Sequence, residues 1–562
     1  IALPREAYPT WIDGTPVYMT TNEVFQHNNA VRKWNSMRNP VTKLLKALYG
    51  HPDSVTMWEV KCDDDVKAVG FVAIGAEWPS VYFHHELKLL LIIYVDDFKL
   101  AGPEKNLDAG WKLLRTKLNI GPEGPLGMYL GCNQSRVQIE LPGGIMATCI
   151  IYDMESFLKQ CVARYLEIAG QDTKMKEART PFLADEGVHG PARDPMITDL
   201  PCCAWCGYVE VVSTQADSKS TVGGEGPLAI DDGDEGQLAD GARSVLMKIL
   251  YAAIMARFDL LRAVQGLAKH FTNWKTRNDE ELYKLVCYIQ TSQGRKMIGW
   301  VGDEINAIQP HLFSDSDFAG TEGTLKSTSG VHLCLRGPHT SLPLSGQSKR
   351  QGCVSSSTTE AELVAGSLAL RTAGLPIIDV MRVLHNACTE VPTKTVLHFH
   401  VDNQAMAAVV RSGRNPTMRQ ISKTHGICTS SMHEQCKSDD VKVEYVSTSL
   451  MAADIYTKAF QDPVKWNNLC EQINIVNLED LKQPHIHDLH TLILTESTLV
   501  TGKKIHADQK MPASLENWDS GYGWHEREGL WYNVVREPKL QRIMEDISFL
   551  KRTVWLKKTS GW

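Results

Sequence analysis

The feature that most constrains the fold is an apolar run that stops on two adjacent carboxylates. Residues 89–95, Leu-Leu-Leu-Ile-Ile-Tyr-Val, lead directly into Asp96 and Asp97. An apolar run of this length predicts a buried strand. Adjacent acids at the end of such a strand are costly unless they bind a cation. The pair therefore favours divalent-metal chemistry, with a solvated turn between two strands as the alternative.

The residues around this pair resemble the palm hairpin of reverse transcriptases, and more narrowly that of copia-type retrotransposon polymerases. Tyr-Val-Asp-Asp at residues 94–97 is followed by an Ala-Gly turn at residues 101–102. A helix is expected next, because four apolar residues share one helical face: Leu107, Trp111, Leu114 and Leu118. The resemblance implies that Asp96 and Asp97 are catalytic metal ligands and that Tyr94 contacts the substrate.

Composition places the chain among globular proteins. A length of 562 residues is too great for one core and predicts about three or four folded units. The net charge of -7 excludes a protein coated in positive potential, so nucleic-acid contacts must use local basic patches. The 14 cysteines are scattered, which is typical of reduced thiols in the cytosol or nucleus. Their one cluster, at residues 202–206, lacks a fourth zinc ligand nearby.

Neither a membrane span nor a signal peptide is expected. No stretch reaches the about 18 apolar residues that a spanning helix needs, and no leader pattern opens the chain. The sequence begins at Ile1 instead of Met, and its first residues resemble the middle of a domain. We therefore expect a fragment of a longer open reading frame.

The polymerase part is expected to cover residues 1–135 as a palm truncated at its N-terminus. Tyr49 and Gly50 belong to a Leu-Tyr-Gly segment that resembles the one preceding the catalytic hairpin in copia-type enzymes. The usual Leu-Lys-Gln-Ala continuation is replaced here. Leu130 and Gly131 resemble the strand that holds the primer end, although an edge strand gives a similar pattern. The resemblance implies that these four residues contact the substrate.

Such a polymerase needs a third carboxylate, because two metal ions must share ligands from separate strands. Asp13 is one candidate, with Tyr18 where the family has an aromatic residue. Gly14 and Pro16 are poor residues for a central strand. This favours a third acid that lies upstream of Ile1.

The middle of the chain is expected to connect two catalytic parts. Residues 136–212 resemble a thumb or connection, and residues 213–241 form an acidic, Gly- and Ser-rich linker that buries too little apolar surface to order itself. Residues 242–305 carry helical periodicity, for which core packing is the preferred interpretation. Arg257 and Asp259 resemble the Arg-Pro-Asp-Ile motif that precedes ribonuclease H in copia-type chains.

Four further acids follow apolar or capping segments in the order found in copia-type ribonuclease H domains. These acids are Asp315, Glu362, Asp402 and Asp454. The serines and threonines before Glu362 are good helix N-caps, and a capping box explains the neighbouring Glu360 without a metal. Each acid alone is more typical of a surface charge, whereas four in the family's order indicate a site.

The resemblance implies a ribonuclease H-like domain over residues 306–460 in which these four acids are catalytic metal ligands. Carboxylates suit Mg²⁺ or Mn²⁺, and two ions per active site can activate water and stabilise the departing oxygen of a phosphodiester. The expected substrate is RNA paired to DNA, recognised through its minor groove and 2′-hydroxyls. Lys423 and His425 match a Lys-His pair of the family and are candidate substrate contacts. Either proton transfer or a purely structural role is open for His425.

Residues 461–562 lie outside the resemblance. Aromatic residues interleaved with basic ones are compatible with base stacking, with core packing or with exposed readthrough sequence, and no function is assigned to them.

The sequence thus predicts an α/β (α+β) fold with a truncated right-hand polymerase palm, a helical connection and a ribonuclease H-like mixed five-stranded sheet with helices. The predicted function is that of a retrotransposon reverse transcriptase and ribonuclease H whose polymerase is incomplete in this fragment. The implied partners are an RNA template, a DNA primer, RNA-DNA hybrid, deoxynucleoside triphosphates and other Pol or Gag products, but no membrane. The implied location is a cytoplasmic virus-like particle, the nucleus, or both. A decayed or domesticated relic that binds nucleic acid or is inactive is the alternative.

Overall fold

The computed structural model describes residues 52–183 and 234–490, with short gaps at 322–324, 390–391, 415–417, 419, 484–485 and 488–489. It also describes two separate strand pairs, β1 (Trp11–Ile12) with β2 (Thr15–Pro16) and β17 (Gly523–Arg527) with β18 (Leu530–Val534). The described fold is mixed α/β, as the sequence predicts.

An N-terminal unit is built on a four-stranded antiparallel sheet in the order β3-β4-β5-β6. Its elements are α1 (Pro52–Ala68), β3 (Val72–Ala73), β4 (Val81–His84), β5 (Leu89–Tyr94), β6 (Asp97–Ala101) and α2 (Glu104–Arg115). The apolar run forms β5, whose first five residues are buried, which confirms the predicted strand. The predicted amphipathic helix is α2, although it ends before Leu118.

Strand β5 is apolar throughout because both of its faces are covered. Side chains alternate between the two faces of a strand. Leu89 and Leu91 pack with α1 and α2 in one core cluster. Leu90 and Ile92 face the other way and belong to a cluster that includes residues of the second sheet. The N-terminal unit therefore shares a core with the C-terminal half of the chain.

The second sheet has ten strands. They are β7 (Met128–Tyr129), β8 (Cys132–Leu141), β9 (Ile145–Asp153), β10 (Lys296–Val301), β11 (Gln309–Thr321), β12 (Lys326–Gly337), β13 (Thr340–Arg350), β14 (Leu397–Val401), β15 (Val441–Tyr445) and β16 (Ile475–Val476). The main order is β15-β14-β11-β12-β13-β10-β9-β8-β7, with β16 paired to β10. Strand β14 runs parallel to β11 and to β15, whereas the other pairs are antiparallel.

The five strands expected after residue 306 are present, but the sheet does not end with them. Strand β10 pairs with β13 through Trp300 and Ser341 and with β9 through Met297 and Tyr152. Strand β10, which is itself almost wholly buried, pairs with the first two residues of β13, Thr340 and Ser341, and so continues the sheet beyond it. The segment predicted as a separate thumb or connection thus contributes strands to the same sheet.

The helices cover both faces of this sheet. They are α3 (Glu155–Ala169), α4 (Ala239–Met255), α5 (Leu261–Ala268), α6 (Thr276–Thr291), α7 (Thr358–Ala369), α8 (Leu375–Cys388), α9 (Gln404–Ser412), α10 (Ile421–Thr424), α11 (Thr429–Lys437) and α12 (Pro463–Gln472). A π-helical turn, Leu370–Gly374, joins α7 to α8. Helix α4 begins at Ala239, so it includes the last residues of the segment expected to be a linker.

The joined helix α7–α8 is long and apolar enough, by length and composition, to cross a membrane. It spans Thr358–Cys388, with a mean hydropathy of 1.5 in its most apolar window. That window is 67% buried inside the fold, and core helices of soluble proteins have the same properties. The sequence predicts no apolar stretch long enough to span a membrane. The joined helix is longer than expected because the π turn makes two shorter helices continuous.

The helical connection packs as a core, as its periodicity predicts. Leu246, Ile249 and Val264 are fully buried in one cluster with the sheet. Beneath them, Arg257 and Asp259 form a buried ion pair with donor-acceptor distances of 2.9 and 2.7 Å. A buried ion pair needs all of its remaining donors and acceptors satisfied. Tyr288 of α6 and Ser292, which directly follows that helix, supply these hydrogen bonds.

The fold continues beyond residue 460, where the sequence resemblance ends. Helix α12 buries Trp466, whose indole donates to the hydroxyl of Tyr288 at 3.0 Å. The same hydroxyl donates to Asp259 at 2.8 Å. The first part of the segment predicted as a tail is therefore core, in agreement with one of the alternatives for its aromatic residues.

Trp78 connects the two sheets. Its side chain is 1% exposed in the shared core, and its indole nitrogen donates to the carbonyl oxygen of Pro376 in α8 at 2.6 Å. We expect Trp78→Ala to lower the free energy of unfolding by about 3–5 kcal/mol, the usual cost of deleting a buried aromatic side chain. Urea unfolding of the full chain, followed by circular dichroism, measures this.

The matched control is Val464→Ala, because Val464 is 68% exposed and such surface changes stay within about 0.5 kcal/mol. If both variants unfold at the same urea concentration, the two sheets do not depend on each other for stability.

Candidate metal centre

The candidate metal centre lies where two parallel strands bring their acids to the same edge. Asp315 is on β11, and Asp402 directly follows β14, which pairs in parallel with β11. Glu362 comes from the first turns of α7, which packs on β11. Ser357 caps this helix by accepting a hydrogen bond from the Glu360 backbone at 3.2 Å. The cap fixes where the helix begins and so how far Glu362 projects.

Asp454 reaches the site on a 3₁₀ helix, Ala452–Tyr456, that crosses close to β12. Gly330, the partner of Asp315 across the strands, permits this approach. A Cβ atom at Gly330 would lie 2.7 Å from the carbonyl oxygen of Ala453. A larger residue there would push the helix and Asp454 away from the other acids.

Three of the four predicted acids form a compact group. One carboxylate oxygen from each of Asp315, Glu362 and Asp402 lies within 4.8 Å of the others. The backbone of Ser316 donates to Glu362 at 3.3 Å, and the hydroxyl of Thr448 donates to Asp402 at 3.0 Å. In the part of the chain that the structure describes, this is the one such group of metal-ligating side chains.

The electrostatics of this group favour a bound cation. Burial, followed by the charges of Asp315 and Asp402, raises the pKa of Glu362 to about 9. Burial and Asp315 also raise the pKa of Asp402. Carboxylates that are buried close together stay protonated, because their negative charges repel one another, unless a cation neutralises them. Three hard oxygen donors fit a Mg²⁺ or Mn²⁺ ion, which supports the predicted ligand type.

Asp454 lies beside the group but is bonded to a lysine. The Lys458 ammonium is 2.7 Å from one oxygen of Asp454 and 3.4 Å from one oxygen of Asp315. Burial and then Asp315 raise the pKa of Asp454 to about 8, although Lys458 acts in the opposite direction. The hydroxyl of Thr457 donates to the second oxygen of Asp315. The fourth predicted acid therefore faces a cation that the chain itself supplies.

Sequence reasoning gave Lys458 and Thr457 no role. Lys458 follows Asp454 by four residues, the spacing at which helical side chains meet, so this signal could have revealed the pair. Thr457 and Thr448 carry no such signal, because their partners Asp315 and Asp402 are distant in sequence.

His425 is held by the helix cap. Its Nε2 atom is 3.4 Å from Glu360 and 3.5 Å from the hydroxyl of Ser355. Glu360 also accepts from the backbone of Ser356 at 2.8 Å, one residue before the N-cap Ser357, whereas the predicted capping box would use the N-cap backbone itself. These contacts place the His425 ring beside the start of α7. Lys423 is exposed in the last turn of α10.

The Asp96–Asp97 pair lies at the tip of the β5–β6 hairpin. Val95 and Asp96 form its two-residue turn, Val95 with a φ of 54°. Asp97 is exposed and pairs with Tyr94, which is partly buried. The carbonyl oxygen of Val95 accepts from the indole of Trp58 at 3.0 Å. The structure thus presents both carboxylates to solvent.

Leu130 and Gly131 form a hairpin turn between β7 and β8, not a continuous strand. Both have positive φ angles, 47° and 73°, which are typical of a two-residue hairpin turn. The carbonyl oxygen of Leu130 accepts from the hydroxyl of Tyr251 at 2.6 Å. The glycine was the signal for this turn. Asp13, Tyr49, Gly50 and the cysteines at 202–206 lie outside the described residues.

No protein-family model and no solved structure matches the chain, but curated proteins do. It is 22% identical to "Retrovirus-related Pol polyprotein from transposon TNT 1-94" of Nicotiana tabacum over 441 residues, covering 78% of this chain and 28% of the relative. It is 24% identical to "Retrovirus-related Pol polyprotein from transposon RE1" of Arabidopsis thaliana, covering 75% and 24%. It is 22% identical to "Transposon Ty1-DR6 Gag-Pol polyprotein" of Saccharomyces cerevisiae, covering 83% of this chain and 23% of the relative. The chain spans about a quarter of the length of these relatives.

The raised pKa of Glu362 predicts how the metal-free protein responds to pH. The unfolded chain releases this proton near pH 4.5, whereas the folded chain retains it up to about pH 9. The folded state therefore binds more protons in this window, and the free energy of unfolding falls as the pH rises. Glu362→Gln removes the effect. In EDTA we expect the variant to be more stable than the parent by at least about 1 kcal/mol at pH 8, with little difference at pH 5.

Thermal melting at both pH values measures this difference. Asp108→Asn serves as control, because Asp108 is an exposed acid on α2. Equal melting temperatures for the parent and Glu362→Gln at pH 8 would show that Glu362 is not strained by burial.

Proposed function

The chain is a homologue of copia-type retrotransposon Pol polyproteins, as its motifs predict, and from this we propose that it acts as a reverse transcriptase and ribonuclease H. The ribonuclease H part is the better supported of the two. The single observation that carries it is the group formed by Asp315 of β11, Glu362 of α7 and Asp402, which follows β14.

The order of the five strands supports this assignment. Strands β11, β12 and β13 are consecutive and antiparallel, and β14 and β15 add in parallel on the other side of β11. Parallel strands place their carboxyl ends together, where ligands bind in sheets of this kind. Asp315 and Asp402 each lie two residues beyond the parallel pair Phe313–His400, so the pairing of β11 with β14 places them side by side.

The proposed chemistry is hydrolysis of the RNA strand in an RNA-DNA hybrid. Asp315, Glu362 and Asp402 would hold Mg²⁺ or Mn²⁺, which when bound supplies an activated water and charge stabilisation at the phosphate. Thr448 and the Ser316 backbone orient two of these carboxylates. Orientation of this kind fixes the positions of the ligand oxygens before substrate arrives.

Exposed cations next to the acids suit a polyanionic substrate. Asp315, Gly330 and Ser348 lie in one row across three strands. Lys349 and Arg350 follow directly and are exposed. Positive charges beside a cleft bind phosphates even when the whole protein is acidic. These residues, together with Lys423, are the proposed contacts to the hybrid backbone.

The polymerase part rests on the β5–β6 hairpin and its exposed Asp96 and Asp97. Tyr94 and the β7–β8 turn at residues 130–131 are the proposed substrate contacts that the structure describes. The hairpin lies near that turn, because Lys99 of β6 donates to Gln134 of β8 at 2.8 Å. A template, a primer and deoxynucleoside triphosphates are the proposed partners.

Hybrid cleavage tests the nuclease assignment. We expect Mg²⁺-dependent cleavage of the RNA strand in an RNA-DNA hybrid but not of double-stranded DNA. Asp402→Asn removes one of the three ligands and should lower the rate at least about 100-fold. A fluorescently labelled RNA strand, resolved on a gel, measures the rate.

Asp440→Asn is the matched control, since Asp440 precedes β15 at the opposite end of the parallel strands and is paired with Arg382 at the surface. Cleavage by the parent that does not exceed that of Asp402→Asn would contradict the assignment. It would favour the alternative of an inactive or nucleic-acid-binding relic.

Primer extension on an RNA template tests the polymerase assignment. We expect Asp97→Asn to reduce extension at least about 100-fold, because removal of a metal-binding carboxylate removes charge stabilisation at the phosphate. Asp108→Asn should leave it unchanged. An equal loss in Asp13→Asn identifies Asp13 as the third acid, whereas normal extension by Asp97→Asn would contradict the assignment.

A further inference from the structure

Lys458 occupies the space between two predicted metal ligands. Its ammonium is 2.7 Å from Asp454 and 3.4 Å from Asp315. The carboxylates of Asp454 and Asp315 are only 6% and 2% exposed, whereas the lysine side chain is 36% exposed. Asp315 also belongs to the group of three acids, whereas Asp454 does not.

A second divalent ion in a two-ion site needs oxygen ligands beyond those of the first. Asp454 and the shared Asp315 are the acids of this chain placed to provide them. The Lys458 ammonium already contacts both acids. A divalent ion at this position therefore competes with the ammonium for the same carboxylate oxygens. Two cations that close together would repel each other strongly in a buried setting.

We propose that Lys458 is a positioning residue that fills the second ion position in the metal-free protein and is displaced when that ion binds. The long, flexible stem and the partial exposure of Lys458 allow the ammonium to move into solvent while the stem stays packed. Lys458 thereby stabilises the carboxylates of Asp315 and Asp454 when no metal is bound. It also sets the concentration of divalent cation at which the second position fills. This inference rests on the proposed two-ion function, but it concerns metal binding alone.

Mn²⁺ binding to the full chain without nucleic acid provides the test. Calorimetry and electron paramagnetic resonance count the bound ions. We expect the parent to bind one Mn²⁺ tightly and a second weakly. Lys458→Met should tighten the second ion at least about tenfold and leave the first within about threefold, whereas Lys458→Arg should keep the second ion weak.

Lys296→Met is the matched control. The Lys296 side chain is 29% exposed and forms a similar ion pair, 2.6 Å from Asp153, away from the acids of the candidate metal centre. An unchanged or weaker second ion in Lys458→Met would overturn the proposal, as would equal tightening in Lys296→Met.

A second measurement uses the parent protein alone and so does not depend on the folding of a variant. An amine-reactive reagent followed by mass spectrometry reports the accessibility of Lys458. Its labelling should rise at least about threefold as Mn²⁺ passes the concentration at which the second ion binds, because the ammonium is released. Constant labelling would overturn the proposal. Loss of hybrid cleavage with normal Mn²⁺ binding would instead overturn only the proposed function.

Discussion

Mutual repulsion between buried carboxylates is the interaction around which the C-terminal half is arranged. Asp315, Glu362 and Asp402 meet beside Asp454 at one edge of the sheet, and burial, which is partial for Asp402, deprives them of the solvent that would screen their charges. The chain answers with donors of its own: Lys458, Thr457, Thr448 and the Ser316 backbone. The fold tolerates the site because each carboxylate has a partner, and a site that remains short of positive charge is suited to binding cations.

Continuity of the large sheet explains why the connection cannot be treated as a spacer. Strand β10 lies between β13, which flanks the acids, and β9, which precedes the helical connection. The Arg257–Asp259 pair ties α6 and α12 to the same core through Tyr288. A substitution in the connection therefore acts on the strands that position Asp315, even though it lies far from the acids in sequence.

Patterns in the sequence were sufficient to predict several elements of the fold and the acids of the candidate metal centre. The apolar run before Asp96 predicted β5, the serines before Glu362 predicted the start of α7, and the order of the acids, through the family resemblance, predicted a shared site. The first two features depend on neighbours within a few residues, whereas the third rests on the resemblance of motifs along the chain.

What sequence reasoning missed depends on distant partners. The pairing of β10 with β13, the Thr457–Asp315 bond and the Trp78–Pro376 bond join segments that no local pattern relates. The predicted strand at residues 130–131 is a turn because Gly131 and Leu130 adopt positive φ, a local signal that the family resemblance obscured. The prediction of Asp454 as a metal ligand took no account of Lys458 four residues further along the chain.

The bond between Trp78 and Pro376 also has a consequence for synthesis of the chain. The two residues are 298 positions apart, so at about 5–20 residues per second the ribosome needs roughly 15–60 s to deliver the second after the first. During that interval the face of the N-terminal sheet that includes Leu90 and Ile92 lacks the part of its core that α8 supplies. A nascent chain of this kind is expected to occupy chaperones that bind apolar strands until α8 emerges.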